Sequence, residues 1–188
     1  MLGRHVNGPT TATPAEHRSA RMRAPGSGTL ANILVSMRGP QIKVKAFAVL
    51  LNQARDAHLV QRASDATKTP TDFHRLLGGH VEFGEAAMDA IRREILEETA
   101  AELLDPQCLG VLENRFVYED QPGHEIVFVY SGSLSQPEPV PDGGGWLSDN
   151  GDAIWVEWRP LASDGTTIPL YPDEVEKLID TLVDNVRD

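Results

Sequence analysis

Short runs of alternating apolar and polar residues fill the middle of the chain, and two longer stretches have a helical period. The short runs are bounded by turn residues and predict strands at residues 41–51, 57–63, 109–118, 125–134 and 153–158. The stretch Glu85–Thr99 has no Gly or Pro and is rich in strong helix formers, so it predicts a helix. A second helix is predicted at Pro172–Arg187, where apolar residues recur at i, i+3, i+4 and i+7. Strands flanked by two long helices predict an α/β fold, an α/β/α sandwich around a mixed sheet.

Three stretches without such a period are predicted to lie outside the regular elements. Residues 1–40 begin with a segment rich in Gly, Pro, Ser and Thr, and they predict a disordered N-terminal extension to a single domain at residues 41–188. Ser64–Phe73 is polar and contains a proline, and Ser135–Gly151 contains three prolines and four glycines. Both predict loops, and a loop as long as the second is usually functional or disordered.

Composition narrows the class of protein. The net charge is −11, although residues 1–40 carry five arginines and one acid, so the predicted domain is strongly acidic. An acidic body argues against binding a nucleic acid polymer on a broad basic surface. No apolar run approaches the roughly 20 residues that cross a bilayer, so no membrane association is predicted. The single Cys108 excludes an internal disulfide and is typical of a cytoplasmic protein.

Three glutamates are placed on one side of the first predicted helix. At roughly 100° per residue, Glu94, Glu97 and Glu98 fall within about a third of the helix circumference. Carboxylates at this spacing repel one another by a few tenths of a kcal/mol for each adjacent pair. The group could be a solvated acidic face, as most charge runs are. It could equally hold Mg²⁺, which takes hard oxygen ligands and leaves positions for water and substrate phosphates.

The residues before this helix favour the second interpretation. Gly78 and Gly79 let the backbone adopt positive φ and approach a ligand closely. Gly84 allows a sharp turn into the helix, which places Glu85 where the helix dipole favours an anion.

The whole stretch Gly79–Ala101 resembles the signature of the Nudix hydrolases. That signature is Gly-x5-Glu-x7-Arg-Glu-apolar-x-Glu-Glu-x-Gly-apolar, and this chain fills every fixed polar position, from Gly79 through Glu85 to the run Arg93–Glu98. One position departs from it, since Ala100 stands where the family usually has Gly. That residue is not a metal ligand in the family, so the departure concerns the turn after the helix more than the chemistry.

The resemblance implies a fold and a set of site residues. The implied fold is the α/β/α sandwich, and the implied cofactor is Mg²⁺, for which Mn²⁺ can substitute. Arg93 is implied to orient a carboxylate through a bidentate pair, with Glu85 as its partner. One glutamate also takes the proton from water, and the sequence does not identify which one. The implied metal ligands are the Gly78 carbonyl, Glu94, Glu97 and Glu98, and the implied catalytic residues are Glu85, Arg93, Glu94 and Glu98.

The reaction that the resemblance implies is hydrolysis of a nucleoside diphosphate linked to another moiety. The pyrophosphate substrate could be an ADP-ribose-like compound, a nucleotide sugar, a dinucleoside polyphosphate or a modified nucleoside triphosphate. Selectivity is expected from the loops Ser64–Phe73 and Ser135–Gly151. Many relatives are dimers, so a homodimer stays open. Two other classes also stay open, a nucleotide-sensing module of this fold without turnover and a non-enzymatic acidic interaction domain.

Three further residues have two interpretations each. His124 could assist substrate binding or proton transfer, or it could hydrogen-bond to the backbone at the end of a turn. Trp146 could stack on a nucleobase or anchor its loop. Asp152 precedes the last predicted strand, in the region from which some Nudix proteins supply a further acidic metal ligand, but no fixed motif marks that position.

Overall fold

The computed structural model describes residues 40–149, 151–161 and 168–187. The predicted N-terminal extension therefore lies outside the described residues, apart from Pro40. Two helices are described, α1 (Ala87–Thr99) and α2 (Val175–Arg187). The strands are β1 (Lys43–Leu51), β2 (Ala57–Ser64), β3 (Asp72–His80), β4 (Leu103–Tyr118), β5 (Gln121–Leu134), β6 (Gly145–Asp149), β7 (Asp152–Pro160) and β8 (Leu170–Tyr171).

The strands form one mixed sheet, as the sequence predicts. Its order is β4-β5-β1-β3-β2-β7-β6, and β8 pairs with β3. The pairs β1–β5 and β3–β8 are parallel, and the other pairs are antiparallel. Since β1 also pairs with β2 at its last residues, β1, β2 and β3 meet at the centre of the fold.

Each helix covers its own apolar cluster on the sheet. The first cluster holds Ala90, Ile91 and Ile95 of α1 together with buried residues of β1, β3, β5 and β7. The second holds Val175 and Ile179 of α2, packed on the alternate residues of β1, β3 and β5. This arrangement confirms the predicted α/β/α sandwich. Among the described residues, neither helix is long and apolar enough to cross a membrane.

Strand β3 corrects the sequence analysis most. The polar residues up to Phe73 predict a loop, and no strand is predicted between this loop and the first helix. In the structure Asp72–His80 is one strand that contains both Gly78 and Gly79. The neighbouring strands supply the pairing that local composition does not, because β1 pairs with its second half and β2 with its first half.

The β4–β5 hairpin is longer than predicted at both ends, because β4 begins at Leu103 and a tighter turn lets β5 begin at Gln121. Only Glu119 and Asp120 form the turn, both with positive φ, and the strands resume at Gln121. Gly123, predicted to be part of the turn, lies inside β5 under the ring of Phe116. A glycine beneath a cross-strand aromatic ring leaves the ring room to cover the backbone.

Two other boundaries differ from the prediction. The long loop at 135–151 contains β6, which pairs with β7 and therefore has a partner far from its own local sequence. Helix α1 begins at Ala87, so Glu85 precedes the helix and does not belong to it. At the other end, Ala100 adopts the left-handed conformation with φ of 57°, and its N–H donates to the Leu96 carbonyl.

The tip of the β4–β5 hairpin is fastened to the β2–β3 loop. The buried Asp65 accepts hydrogen bonds from Thr67 through one carboxylate oxygen, and from the Glu119 backbone N–H through the other. Tyr118 adds a hydrogen bond to the Ser64 carbonyl and an edge-on ring contact with Phe73. These contacts join the two segments at their tips.

Candidate active site

Two consecutive glycines bring the β3 backbone against helix α1. Gly78 has φ of +123°, and a Cβ there would overlap the Ala46 carbonyl of the next strand. Its N–H donates to Oε2 of Glu98 at 3.0 Å. Glycine is therefore required at this position both for its conformation and for space.

Gly79 supports the second glutamate of the helix. A Cβ at Gly79 would overlap the carboxylate of Glu94, so the missing side chain creates the space in which that carboxylate lies. Glu94 is buried, with 6% of its surface exposed. The sequence predicts that the glycine pair lets the backbone approach a ligand closely. In the structure the pair lets the backbone approach two carboxylates of helix α1.

Arg93 joins the acidic residues around the start of α1. Its Nε and Nη2 each donate to one carboxylate oxygen of Glu85 at 3.0 Å, which is the predicted bidentate pair. Its Nη1 donates to Glu94 at 2.9 Å and to Glu97 at 3.3 Å, and Nη2 also donates to the His80 carbonyl. The hydrogen bond to Glu85 is the main reason that the pKa of Arg93 rises above its ordinary value. The same bond lowers the pKa of Glu85.

Glu98 has the most perturbed carboxyl group of the site. Burial raises its pKa to about 8, because the charged form loses contact with water. The negative charges of Asp149 and Glu94 act in the same direction. The hydrogen bond from Gly78 and the positive charge of Arg75 oppose the rise without cancelling it. A buried carboxyl group surrounded by other acids is a frequent feature of functional sites.

The structure brings together two of the three predicted glutamates. Glu94 and Glu98 are both buried against β3, whereas the Glu97 side chain is 52% exposed and turned towards Arg93. Within the described residues, no three or more Asp, Glu, His or Cys side chains are placed so that together they could hold a metal ion.

Two residues near the site are absent from the predictions. Asp149 ends β6, in a stretch that the sequence predicts as loop, and its charge acts on Glu98. Arg75 lies on β3, and its Nε donates to Oε1 of Gln61 at 2.6 Å. Neither belongs to a motif with fixed spacing, so only the pairing of β6 with β7 and of β3 with β2 reveals their position.

The three residues with two interpretations have different outcomes. His124 pairs with the Glu113 carboxylate at 3.0 Å and not with the backbone. Trp146 is 67% exposed on β6 and meets Trp155 edge-on at 5.3 Å between ring centroids. Asp152 is an exposed residue at the start of β7, and the acid that acts on Glu98 is Asp149.

The donor chemistry of the residues near Glu98 suits a divalent cation. Glu98, Glu94 and Asp149 offer only hard oxygen donors, and a nearby cation would relieve the penalty that burial and like charges impose on Glu98. An open set of a few carboxylates is what Mg²⁺ prefers, since it keeps several waters and binds substrate phosphates directly.

Comparison with known proteins agrees with this combination of fold and site. The α/β/α sandwich places two glutamates of one helix against the glycine pair of β3, an arrangement that suits an open cation site. The family model of the NUDIX domain matches residues 42–175. The chain belongs to the Nudix family and is a Nudix hydrolase, a pyrophosphohydrolase that acts on acid anhydrides. Nudix hydrolases generally use divalent metal ions.

Solved structures with the same fold are distant in sequence. The MutT NUDIX hydrolase from Burkholderia pseudomallei is 20% identical, with a TM-score of 0.52 over 74% of this chain and 97% of that one. The E. coli dihydroneopterin triphosphate pyrophosphohydrolase is 18% identical, with a TM-score of 0.51 over 77% and 98%. A UDP-X diphosphatase is 17% identical, with a TM-score of 0.51 over 87% and 73%. At these identities the likeness shows the fold alone.

Proposed function

We propose that this enzyme catalyses Mg²⁺-dependent hydrolysis of a nucleoside diphosphate linked to another moiety, releasing a nucleotide and a phosphorylated product. The observation that supports this most is the buried carboxyl group of Glu98, bonded to the Gly78 N–H and surrounded by other acids. An ionised carboxyl group in that setting is unfavourable for the stability of the fold. It is suited to bind a cation that also contacts a polyphosphate.

The cation, when bound, neutralises phosphate charge and acidifies water. Glu94, Glu97, Glu98 and the Gly78 carbonyl are the residues that would hold it. For Glu97 this requires that its side chain turn from Arg93 towards the other two glutamates. Mn²⁺ can replace Mg²⁺ at such a site, because both accept carboxylate and water oxygens.

The chain's own residues then position these oxygens. Arg93 fixes the Glu94 carboxylate while Glu85 holds the other edge of the guanidinium, so Glu85 and Arg93 act as positioning residues. Burial raises the pKa of Glu98 to about 8 without a cation, and a bound cation would lower it, so Glu98 would then be the carboxylate that ligates the metal or accepts a proton from water. Glu94 and Glu98 lie on the side of the helix that faces β3, so the negative charge of Glu94 acts on Glu98.

The surroundings of these carboxylates support a phosphorylated substrate. Arg75 carries a positive charge that acts on Glu98, and its hydrogen bond to Gln61 fixes its orientation beside the site. A guanidinium there is suited to receive a phosphate oxygen. Two of the proteins with this fold are a UDP-X diphosphatase and a dihydroneopterin triphosphate pyrophosphohydrolase. Both substrate types, a nucleotide sugar and a modified triphosphate, belong to the candidates for this chain, together with ADP-ribose-like compounds and dinucleoside polyphosphates. Such metabolites and the single cysteine favour a cytoplasmic location.

A product assay tests this proposal. The full chain is incubated with a panel of nucleoside diphosphate derivatives in Mg²⁺ and in EDTA, next to Glu98→Gln and the matched control Asp89→Asn. Asp89 is an exposed acid in the first turn of the same helix, so its amide should leave the rate unchanged. We expect cleavage of at least one compound, lost in EDTA and reduced by roughly a hundredfold or more in Glu98→Gln.

Two results would contradict the proposal. One is a near-normal rate of Glu98→Gln on a compound that the wild type cleaves. The other is Mg²⁺-dependent thermal stabilisation by a panel compound that is never cleaved, which would identify a nucleotide-sensing module instead.

A further inference from the structure

Strand β4 forms one end of the sheet, and its outer side has no strand partner among the described residues. Irregular pairing with β5 is confined to Leu104–Gln107 and Cys108–Gly110. The remaining part, residues 110–118, is a regular edge of nine residues without proline or lysine. Natural sheets usually shorten, bend or charge such an edge, because its free N–H and C=O groups pair readily with another chain. The opposite end of the sheet follows that rule, since β6 has only five residues.

The hairpin turn determines which backbone groups face outwards. Glu119 and Asp120 both have positive φ, as in the two-residue type I′ turn, so the flanking residues Tyr118 and Gln121 form a hydrogen-bonded pair. Hydrogen-bonded and non-bonded pairs alternate along an antiparallel ladder. The outward N–H and C=O groups are therefore those of residues 117, 115, 113 and 111.

The side chains of the same four residues share one face of the strand and are exposed. Val111 and Val117 are 53% and 54% exposed, so this face of the edge presents two apolar side chains to solvent. Between them lie Glu113 and Arg115, which carry opposite charges. Glu113 pairs with His124, whereas the guanidinium of Arg115 has no ion pair within the described part of the chain.

We propose that this edge pairs with the same edge of a second copy of the chain, antiparallel about a two-fold axis at Asn114. In that register Glu113 of each copy lies opposite Arg115 of the other, and Val111 lies opposite Val117. The charges are then complementary and the exposed valines cover one another. Residues 111, 113, 115 and 117 are also the residues with outward backbone groups, so each pair exchanges two backbone hydrogen bonds.

This register explains why the sequence of the edge is symmetric about Asn114. Outward from the centre come opposite charges at 113 and 115, then valine at 111 and 117. A heterologous partner would not require such a match between the two halves of one strand, whereas an isologous contact pairs each position with its mirror position. The occupant is therefore a second copy, and the dimer extends the sheet across both subunits.

A charge-swap series measured by light scattering and sedimentation of the full chain tests the pairing. Glu113→Arg places like charges opposite each other at two symmetric places and should weaken association roughly tenfold or more. Arg115→Glu should do the same. The combined variant restores opposite charges in the proposed register, and its dimer should recover towards the wild-type dissociation constant. Leu104→Lys, an exposed residue of β4 outside the regular edge, is the matched control and should associate normally.

A cross-link tests the position of the axis. Directly opposite non-bonded residues have Cα atoms about 4.5 Å apart, which suits a disulfide. In a Cys108→Ser background, Asn114→Cys should therefore form a covalent dimer on oxidation, while Leu104→Cys should not. Circular dichroism of each variant confirms that the subunit is folded. A full chain that stays monomeric at every concentration tested, or a dimer that the single swaps leave intact, would overturn the proposal.

Discussion

Replacing Glu98 by Gln should make the metal-free protein more stable while it destroys the proposed activity. The substitution keeps the volume of the side chain and an oxygen that can accept the hydrogen bond from the Gly78 N–H. It removes a carboxyl group that folding transfers from water to a buried position near Asp149 and Glu94. The variant therefore separates the loss of stability caused by the buried carboxyl group from the activity that this group supports.

The magnitude follows from the pKa of Glu98. The unfolded chain releases this proton near the ordinary pKa of 4.5, whereas the folded chain keeps it until about 8. Between these values the folded state binds more protons, so the free energy of unfolding falls as the pH rises. Each pKa unit corresponds to about 1.4 kcal/mol, which limits the loss at pH 7 to about 3 kcal/mol. Gln does not ionise and escapes this loss.

Urea and thermal unfolding in EDTA measure the difference. At about pH 7, the free energy of unfolding of Glu98→Gln should exceed that of the wild type by up to about 3 kcal/mol, which corresponds to a melting temperature roughly 6 to 12 °C higher for a domain of this size. The advantage should shrink towards about pH 5, where both states of the wild type hold the proton more nearly equally. Adding Mg²⁺ should stabilise the wild type and leave Glu98→Gln almost unchanged.

The matched control is Glu97→Gln, the same substitution one residue away on a side chain that is half exposed. Its stability difference from the wild type should be small, because an exposed ion pair contributes little. The reasoning fails if Glu98→Gln is no more stable than the wild type at about pH 8 in EDTA, because a desolvated carboxylate must then be absent.

Two further substitutions test the glycine positions of the signature. Ala100→Gly should stabilise the fold by about 0.5–1 kcal/mol in urea unfolding, because relief of the left-handed conformation exceeds the extra entropy of an unfolded glycine. Ala54→Gly, at an exposed turn residue with negative φ, should give no gain. Gly79→Ala should lower kcat by roughly a hundredfold, because the methyl group displaces the Glu94 carboxylate. Gly143→Ala meets no atom nearby and should keep the wild-type rate; equal rates of both alanine variants would contradict the argument.

Local sequence predicts most of the acidic residues that the structure brings together at the site. The spacing from Gly79 to Glu98 predicts which residues approach one another, and the bidentate pair of Arg93 with Glu85 is confirmed. Such contacts lie within about twenty residues on a strand, a turn and a helix, whose geometry follows from short-range rules. The roles of these residues in catalysis stay predictions.

Long-range pairing accounts for what the sequence did not predict. β6 has few apolar residues and many neighbouring glycines, and only its ladder with β7 makes it a strand. Asp149 consequently reaches the site from a stretch predicted as loop. The direction of Glu97 was missed for a different reason, because helical spacing places it beside Glu94 but does not show that Arg93 attracts it outwards.

The hydrogen bonds of Asp65 couple the conformation of the β2–β3 loop to that of the β4–β5 hairpin tip. One buried carboxylate holds the β2–β3 loop through Thr67 and the hairpin tip through a single backbone N–H. A change in the conformation of this loop moves the Asp65 carboxylate. The hairpin tip then loses the acceptor of its Glu119 N–H. A test of the predicted role of the β2–β3 loop in selectivity should therefore vary this loop and the hairpin turn together.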